Sequence, residues 1–227
     1  VVIDIVIPAY NEEASIPLVI GDIDKSLVRN IIVVNNNSTD NTVSAAKEAG
    51  AIVIHEEFQG YGAACLKGID HVNNSTPPAD ILVFMDADYS DYAEELPALL
   101  KPIIAGDVDF TIGSRALGKR EKGAMMPQQL FGNWLATFLL RVFYKAEFTD
   151  LGPFRAIKLS TLNSLEMKDK TFGWTVEMQI KIAKLNVKYA EFPARYRKRV
   201  GVSKITGTLK GTILAGYKII HTLIKYR

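Results

Sequence analysis

The chain has 227 residues, 48% of them apolar and with ordinary Gly and Pro, which allows one sizeable core and excludes a disordered or collagen-like chain. A single cysteine, Cys65, excludes a disulfide framework and a Cys-based zinc site and fits a reducing compartment, and three histidines leave little for His-rich metal or triad chemistry. The net charge of +2 divides unevenly: Phe192–Arg227 holds nine Lys or Arg and no acid, leaving 18 basic and 25 acidic residues before it.

The start at Val1 is expected to leave part of the translated chain outside these residues. No basic segment precedes the first apolar run, so Val1–Pro8 is not expected to be a signal peptide. That run, Ile3–Ile7, reads as a strand, as do Ile31–Val34, Ala51–Ile54 and Ile81–Met85. All are nearly continuous β-branched or apolar stretches, the pattern of parallel strands covered on both faces. Helices are predicted between them at about Ser15–Val28, Thr42–Ala49, Gly62–Val72 and Tyr92–Ile104, with Ser38-Thr39-Asp40 supplying an N-cap before the second. This alternation predicts an α/β sheet with right-handed crossovers, continued by Phe110–Gly113. Leu117–Pro127 is Gly- and Lys-rich and reads as a loop. Gln128–Lys145 follows as a helix with apolar pairs at Leu130/Phe131, Trp134/Leu135, Phe138/Leu139 and Val142/Phe143. It is too short and interrupted to span a membrane, which takes about 20 apolar residues; it is either a packed core helix or a helix lying on a membrane surface. Trp174–Lys184 (helix), Val187–Phe192 (strand), Arg195–Ser203 (basic loop) and Thr206–Ile224 (helix) complete the chain. The acidic body with its basic end predicts a metal-using front half and an anion-facing tail, or simply a solvated basic helix. No linker, repeat or low-complexity segment interrupts it, which predicts one domain over 1–227.

Ligands of open α/β sheets bind beyond the carboxyl ends of the strands. Here those ends are polar: Pro8-Ala9-Tyr10-Asn11-Glu12, Asn35-Asn36-Asn37-Ser38-Thr39-Asp40, and Asp86-Ala87-Asp88. Two carboxylates two residues apart after a buried strand repel unless a cation sits between them, and hard oxygen ligands favour Mg²⁺ or Mn²⁺ shared with substrate phosphates. The alternative is a turn Asp with a solvated neighbour. Gly60-Tyr61-Gly62 carries Cys65 where a dinucleotide fingerprint needs its third Gly or Ala, so it reads as a tight turn or a close backbone approach to a ligand. No Walker A motif is present.

In this order and spacing, these motifs, with Gly113-Ser114-Arg115 and Gly201-Val202-Ser203-Lys204, resemble the family 2 glycosyltransferases of GT-A fold, closest to the dolichol- or polyprenyl-phosphate sugar synthases. The resemblance spans nearly the whole chain. It implies an α/β fold with a mostly parallel central sheet and helices on both faces. Residues 1–115 would form the nucleotide-sugar-binding half and 116–227 the acceptor-side half. By the same resemblance Pro8, Ala9, Tyr10, Glu12, Asn35 and Asn36 would hold the donor nucleotide, Ala87 would lie beside the base, and Asp86 and Asp88 would bind the metal and the donor's ribose or diphosphate. Arg115 would meet the acceptor phosphate or donor diphosphate, and Arg199 and Lys204 would close over the diphosphate. Asp150, ahead of Phe154-Arg155, and Glu177, in Phe172-Gly173-Trp174-Thr175-Val176-Glu177, would orient the acceptor or serve as base; a structural salt bridge to Arg155 is the alternative for either.

The chain departs from the family twice. Asn35 and Asn36 stand where members usually carry acids, and an amide both donates and accepts where a carboxylate only accepts, so base preference stays open. Lys198 stands where the last motif usually has Arg, which leaves Arg199 for the diphosphate. The expected function is metal-dependent transfer of a sugar from a nucleotide-diphospho-sugar to a polyprenyl (dolichyl-type) phosphate. The expected place is the cytoplasm, peripheral on the membrane face, without nucleic acid. The alternatives are a same-fold transferase with a soluble acceptor, such as a sugar or small phosphorylated acid, and a catalytically silent nucleotide-sugar-binding protein.

Overall fold

A computed structural model describes residues 1–201 and 209–226, with the backbone alone over 209–215. Its centre is a seven-stranded sheet in the order β3-β2-β1-β4-β6-β5-β7. The strands are β1 (Ile3–Ala9), β2 (Asn30–Asn35), β3 (Ile52–His55), β4 (Ile81–Phe84), β5 (Phe110–Ser114), β6 (Arg155–Lys158) and β7 (Tyr189–Pro193). The helices are α1 (Ile16–Asp22), α2 (Thr42–Glu48), α3 (Tyr61–Asn73), α4 (Leu96–Ile104), α5 (Pro127–Tyr144), α6 (Leu159–Leu165), α7 (Trp174–Lys184) and α8 (Leu209–Lys225).

The pleat sends alternate residues of β1 to opposite faces, so one strand serves two cores. Ile3, Ile5 and Ile7 pack with Ile16, Val19 and Ile20 of α1 and Leu96, Leu99 and Leu100 of α4. Val6 faces the other way, into a cluster with Ala64 and Ile69 of α3, Leu140 of α5 and Trp174 and Met178 of α7. Parallel register then aligns strand ends: Ala9 of β1 lies opposite Asn35 of β2, and Val6 opposite Phe84 of β4. The turns after β1, β2 and β4 therefore emerge at one edge.

The observed elements depart from expectation in four places. Helix α1 stops at Asp22, short of Val28, because the Asp24 carboxylate takes both the Ser26 amide (2.9 Å) and hydroxyl (2.6 Å), a local bonding pattern that competes with the helix. The N-cap of α2 is Asn41, whose side chain makes no capping bond; Asp40, one residue earlier, accepts from the Thr42 amide at 3.0 Å. Strand β5 does not follow β4 directly: β6, which the sequence reading left unassigned, runs antiparallel between them. Its first residue, Arg155, is wholly buried, its charge satisfied by the carbonyls of Leu151, Gly152 and Thr175. Helix α6 was likewise unassigned. The remaining helices fall within a few residues of expectation, and Val202–Thr208 lie outside the described residues.

Candidate active site

The turns after β1 and β2 are stapled together. Asn11, with φ of +54°, donates its amide to Ser38 Oγ (3.0 Å) and accepts from the Thr39 amide (2.8 Å), while the Glu12 amide donates to Thr42 Oγ1 (2.8 Å). Ser15 Oγ then holds Glu12 Oε2 at 2.7 Å, so the Glu12 carboxylate is fixed from behind. Beside it opens a cavity of about 400 Å³. Of the residues expected to bind donor, Pro8, Ala9, Tyr10, Glu12, Asn36, Asp86, Ala87, Asp88 and Arg199 line it.

Asp88 is almost buried; its Oδ1 accepts from the Ser90 amide (3.0 Å) and hydroxyl (2.5 Å), and its Oδ2 meets Arg199 Nη1 at 3.0 Å. Arg199 Nη2 reaches Glu12 Oε1 at 2.8 Å. A guanidinium therefore bridges two carboxylates across the cavity. Asp86 presents a buried Oδ1 without a hydrogen bond, as does Tyr61 Oη. Burial and the Asp88 charge push Asp86 up to about 7, against the pull of Arg115 and Arg199.

These features fit a hard divalent cation. Asp86 lines the cavity and its buried Oδ1 has no hydrogen-bond partner, and a cation, Arg199, already occupies the neighbouring carboxylate. Among the described residues no three His, Cys, Asp or Glu side chains are grouped to hold an ion; Asp86 and Asp88 would hold one together with water and substrate oxygens, as Mg²⁺ commonly requires.

Asn35 and Asn36 are both spoken for. Asn36 Nδ2 donates to the carbonyls of Glu56 (3.0 Å) and Phe58 (2.8 Å), and its Oδ1 accepts from the Gly60 amide (2.7 Å). Asn35, outside the cavity wall, contacts His55 Nδ1 at 3.2 Å and accepts from the Ser38 amide. Asn36 thereby shapes the loop ahead of α3, while Asn35 ties the end of β3 to the turn after β2. That loop adds Gln59, Gly60, Tyr61 and Ala64 to the cavity, and Phe172 closes it; sequence reasoning had not placed Gln59, Tyr61, Ala64 or Phe172 there. The close approach expected at Gly60 and Gly62 is made to the chain itself. A Cβ on Gly60 would lie 2.2 Å from the Lys170 carbonyl and one on Gly62 2.1 Å from that of Asp169.

Arg115, Asp150 and Glu177 do not line this cavity. Arg115 Nε and Nη2 grip Asp150 in a two-point pair (2.8 and 2.7 Å), with the Arg115 amide donating to the same carboxylate (2.7 Å). Asp150 is fully buried, and both of its carboxylate oxygens accept from Arg115. Glu177 is also buried, accepting from the amides of Lys168 (3.0 Å) and Asp169 (2.7 Å), from Tyr226 Oη (2.6 Å) and from Lys181 Nζ (2.7 Å). Neither acid pairs with Arg155. Asp91, which the sequence reading passed over, is buried with Oδ2 unbonded, and burial with the charges of Asp86 and Asp88 raises it well above the usual range. Lys204 lies outside the described residues.

Residues 4–165 match the family described as Glycosyl transferase family 2. The chain belongs to this family. A glycosyltransferase of Mycobacterium tuberculosis is 31% identical over 215 residues, 94% of each chain. The undecaprenyl-phosphate mannosyltransferase of Micrococcus luteus is 28% identical, with 91% of this chain and 88% of that one covered. Glucosyl-3-phosphoglycerate synthase from Mycobacterium tuberculosis, solved with Mn²⁺, uridine diphosphate and glucosyl-3-phosphoglycerate, shares the fold: TM-score 0.79 at 23% identity, covering 99% of this chain and 79% of that one. This family 2 glycosyltransferase is thus a nucleotide-sugar-dependent hexosyltransferase of GT-A fold, and its crevice lies where three parallel strands end.

Proposed function

We propose that the protein transfers a hexose from a nucleotide-diphospho-sugar to a polyprenyl (dolichyl-type) phosphate, with Mg²⁺ or Mn²⁺ at Asp86 and Asp88. It would do so as one domain, residues 1–115 holding the donor and 116–227 the acceptor side, peripheral on the cytoplasmic membrane face. The observation that carries the acceptor is the outer face of α5. Phe131, Trp134 and Phe138 are 61%, 58% and 46% exposed and lie ring against ring at 5.8 Å spacing. Helix α8 packs on α5, with Tyr144 Oη donating to the Leu223 carbonyl, and exposes Tyr217, Ile220 and Ile224. An aromatic face of this kind suits the apolar part of a lipid surface, and the nine basic residues without an acid in the sequence from Phe192 on would add attraction to anionic lipid. The same α5 grips the segment around Asp150: Asn133 donates to the Thr149 carbonyl and accepts from the Leu151 amide.

Pro8, Ala9 and Tyr10 would hold the nucleoside, with Asn36 acting through the 56–60 loop. The metal would neutralise the leaving diphosphate. An acceptor phosphate is already ionised near neutral pH and needs little general-base help, which agrees with Asp150 and Glu177 being committed elsewhere. What the acceptor requires is a nearby cation. Arg115 keeps Nη1 for it, since Nε and Nη2 are held by Asp150.

The test is transfer of labelled sugar from UDP-glucose, UDP-N-acetylglucosamine and GDP-mannose to polyprenyl phosphate in detergent, with Mn²⁺ or Mg²⁺. Label in the organic phase is expected. A second reading, transfer to a soluble phosphorylated acid, draws support from the phosphoglycerate product held by the structural neighbour. Label passing to 3-phosphoglycerate alone would establish it over the lipid acceptor, and donor binding without any transfer would leave a silent binding protein.

A further inference from the structure

We infer that Arg199 is a built-in counter-ion that closes the metal position to free cations, so that the site takes its metal only as a complex with a nucleoside diphosphate. The inference rests on the donor-site reading above. In the ligand-free protein Asp88 Oδ2 and Glu12 Oε1 are bridged by one guanidinium at 3.0 and 2.8 Å. The opposite oxygens are held by Ser90 and Ser15, so neither carboxylate turns away without losing a buried hydrogen bond. A cation approaching Asp88 must therefore displace one arm of Arg199 and leave the guanidinium with Glu12 in place of two carboxylates, a cost that an incoming diphosphate removes by supplying it with a second anion.

The exchange asks for movement of a side chain, not of the loop. The backbone on either side is pinned to the β4 turn: the Val200 amide donates to the Asp88 carbonyl (2.9 Å) and the Arg197 amide to that of Ser90 (3.0 Å). Arg197 itself is tied to the Tyr89 and Asp91 carbonyls and to the Asp22 carboxylate. Arg199 Nε is buried without a hydrogen bond, so the resting position leaves one of its donors unsatisfied. The guanidinium is held by its two ion pairs and by little else among the described residues.

The consequence is positive coupling between metal and nucleotide. Such couplings commonly amount to about 5- to 150-fold in affinity, and each ligand must raise the affinity of the other by the same factor. The test is Mn²⁺ binding followed by electron paramagnetic resonance, first alone and then with UDP or GDP. Wild type is expected to bind Mn²⁺ alone weakly and at least tenfold more tightly with a nucleotide. Arg199→Gln is expected to bind Mn²⁺ alone about tenfold more tightly than wild type and to gain little from either nucleotide. If Arg199→Gln fails to fold by circular dichroism, Arg199→Lys, which keeps a charge but not the two-armed bridge, is expected to show the same changes in smaller measure. Equal free-Mn²⁺ affinity in wild type and the folded variant overturns the counter-ion role and leaves the donor site standing. Absence of Mn²⁺ binding by wild type with either nucleotide overturns the donor-site reading and this inference with it.

Discussion

Asp88 and Glu177 are both almost or wholly buried acids, yet their surroundings give them opposite work. Asp88 keeps one oxygen toward the cavity, opposed only by Arg199. Asp88→Asn should fold normally and lose the Mn²⁺-dependent part of nucleotide binding, because an amide removes a formal charge from a cation's shell. Calorimetry with UDP and GDP, with and without Mn²⁺, reads this directly, and an unchanged Mn²⁺ effect would remove Asp88 from the metal site. Glu177 has its oxygens taken by two backbone amides, Tyr226 and Lys181. Burial works to raise it, but the hydrogen bonds of Lys181, Tyr226, Asp169 and Lys168 outweigh burial and hold it below the usual range. A carboxylate depressed in the folded state stabilises above its unfolded pKa, about 4.3, and loses that stabilisation as pH falls through the lower folded value. Glu177→Gln should cost roughly 3 kcal/mol at neutral pH, with nucleotide affinity of the folded protein unchanged. Urea titrations should find the gap to wild type closing below about pH 4. A gap that is constant with pH would mean the charge of Glu177 carries none of the effect.

Helices α3 and α5 show how one substitution changes sign with its surroundings. Gly62 lies in the first turn of α3, where the helix presses on the segment before α7, and an added Cβ would meet backbone that cannot rotate away. Gly132 lies in α5 with nothing within 4 Å of an added Cβ. Gly62→Ala should therefore destabilise by about 1–3 kcal/mol through overpacking. Gly132→Ala should stabilise by roughly 0.5–1 kcal/mol, the ordinary helix gain of alanine over glycine. Denaturant midpoints of the two variants compare them, and two shifts of the same sign would contradict the packing of α3 on residues 169–170. The Gly62 substitution should also weaken nucleotide binding, since Gly60, Tyr61 and Phe172 belong to the cavity wall.

Across the whole molecule, the basic end of the sequence and the aromatic face of α5 both fall within residues 116–227, the half proposed to face the acceptor. Trp134 is 58% exposed, so Trp134→Glu should remain folded, with stability within about 0.5 kcal/mol of wild type. Wild type is expected to sediment with anionic liposomes, attracted by about 1 kcal/mol per basic residue near the surface, a contribution that salt screens. The apolar contact should leave a residue of binding at high salt, and Trp134→Glu should lose that residue. A folded variant that sediments like wild type would remove α5 as the lipid contact. Among the described residues no helix is long and apolar enough to cross a membrane.

The local sequence determined the parallel strands and their polar ends. Continuous apolar runs are buried on both faces whatever lies beside them, and β1, β2 and β4 each needed only its own few residues to be recognised. Asp86, Asp88, Glu12 and Tyr10 were legible for the same reason: they directly follow such strands, and strands of one parallel sheet end together. What lay beyond the sequence was pairing at a distance. Strand β6 opens on a charged residue, Arg155, whose burial makes sense only once the carbonyls of Leu151, Gly152 and Thr175 surround it. Nothing in the local sequence of Asp150 or Glu177 shows that Arg115 and Tyr226, 35 and 49 residues away, bond to their oxygens. Nothing local to Asn36 shows that its side chain bonds the carbonyls of Glu56 and Phe58 and the Gly60 amide. The stripe on α5 had the periodicity of either a core helix or a surface helix, and periodicity reports only that one face is apolar. Packing of the helix through Ala136, Thr137 and Leu140, with Trp134 left outside, decided which face the core would keep.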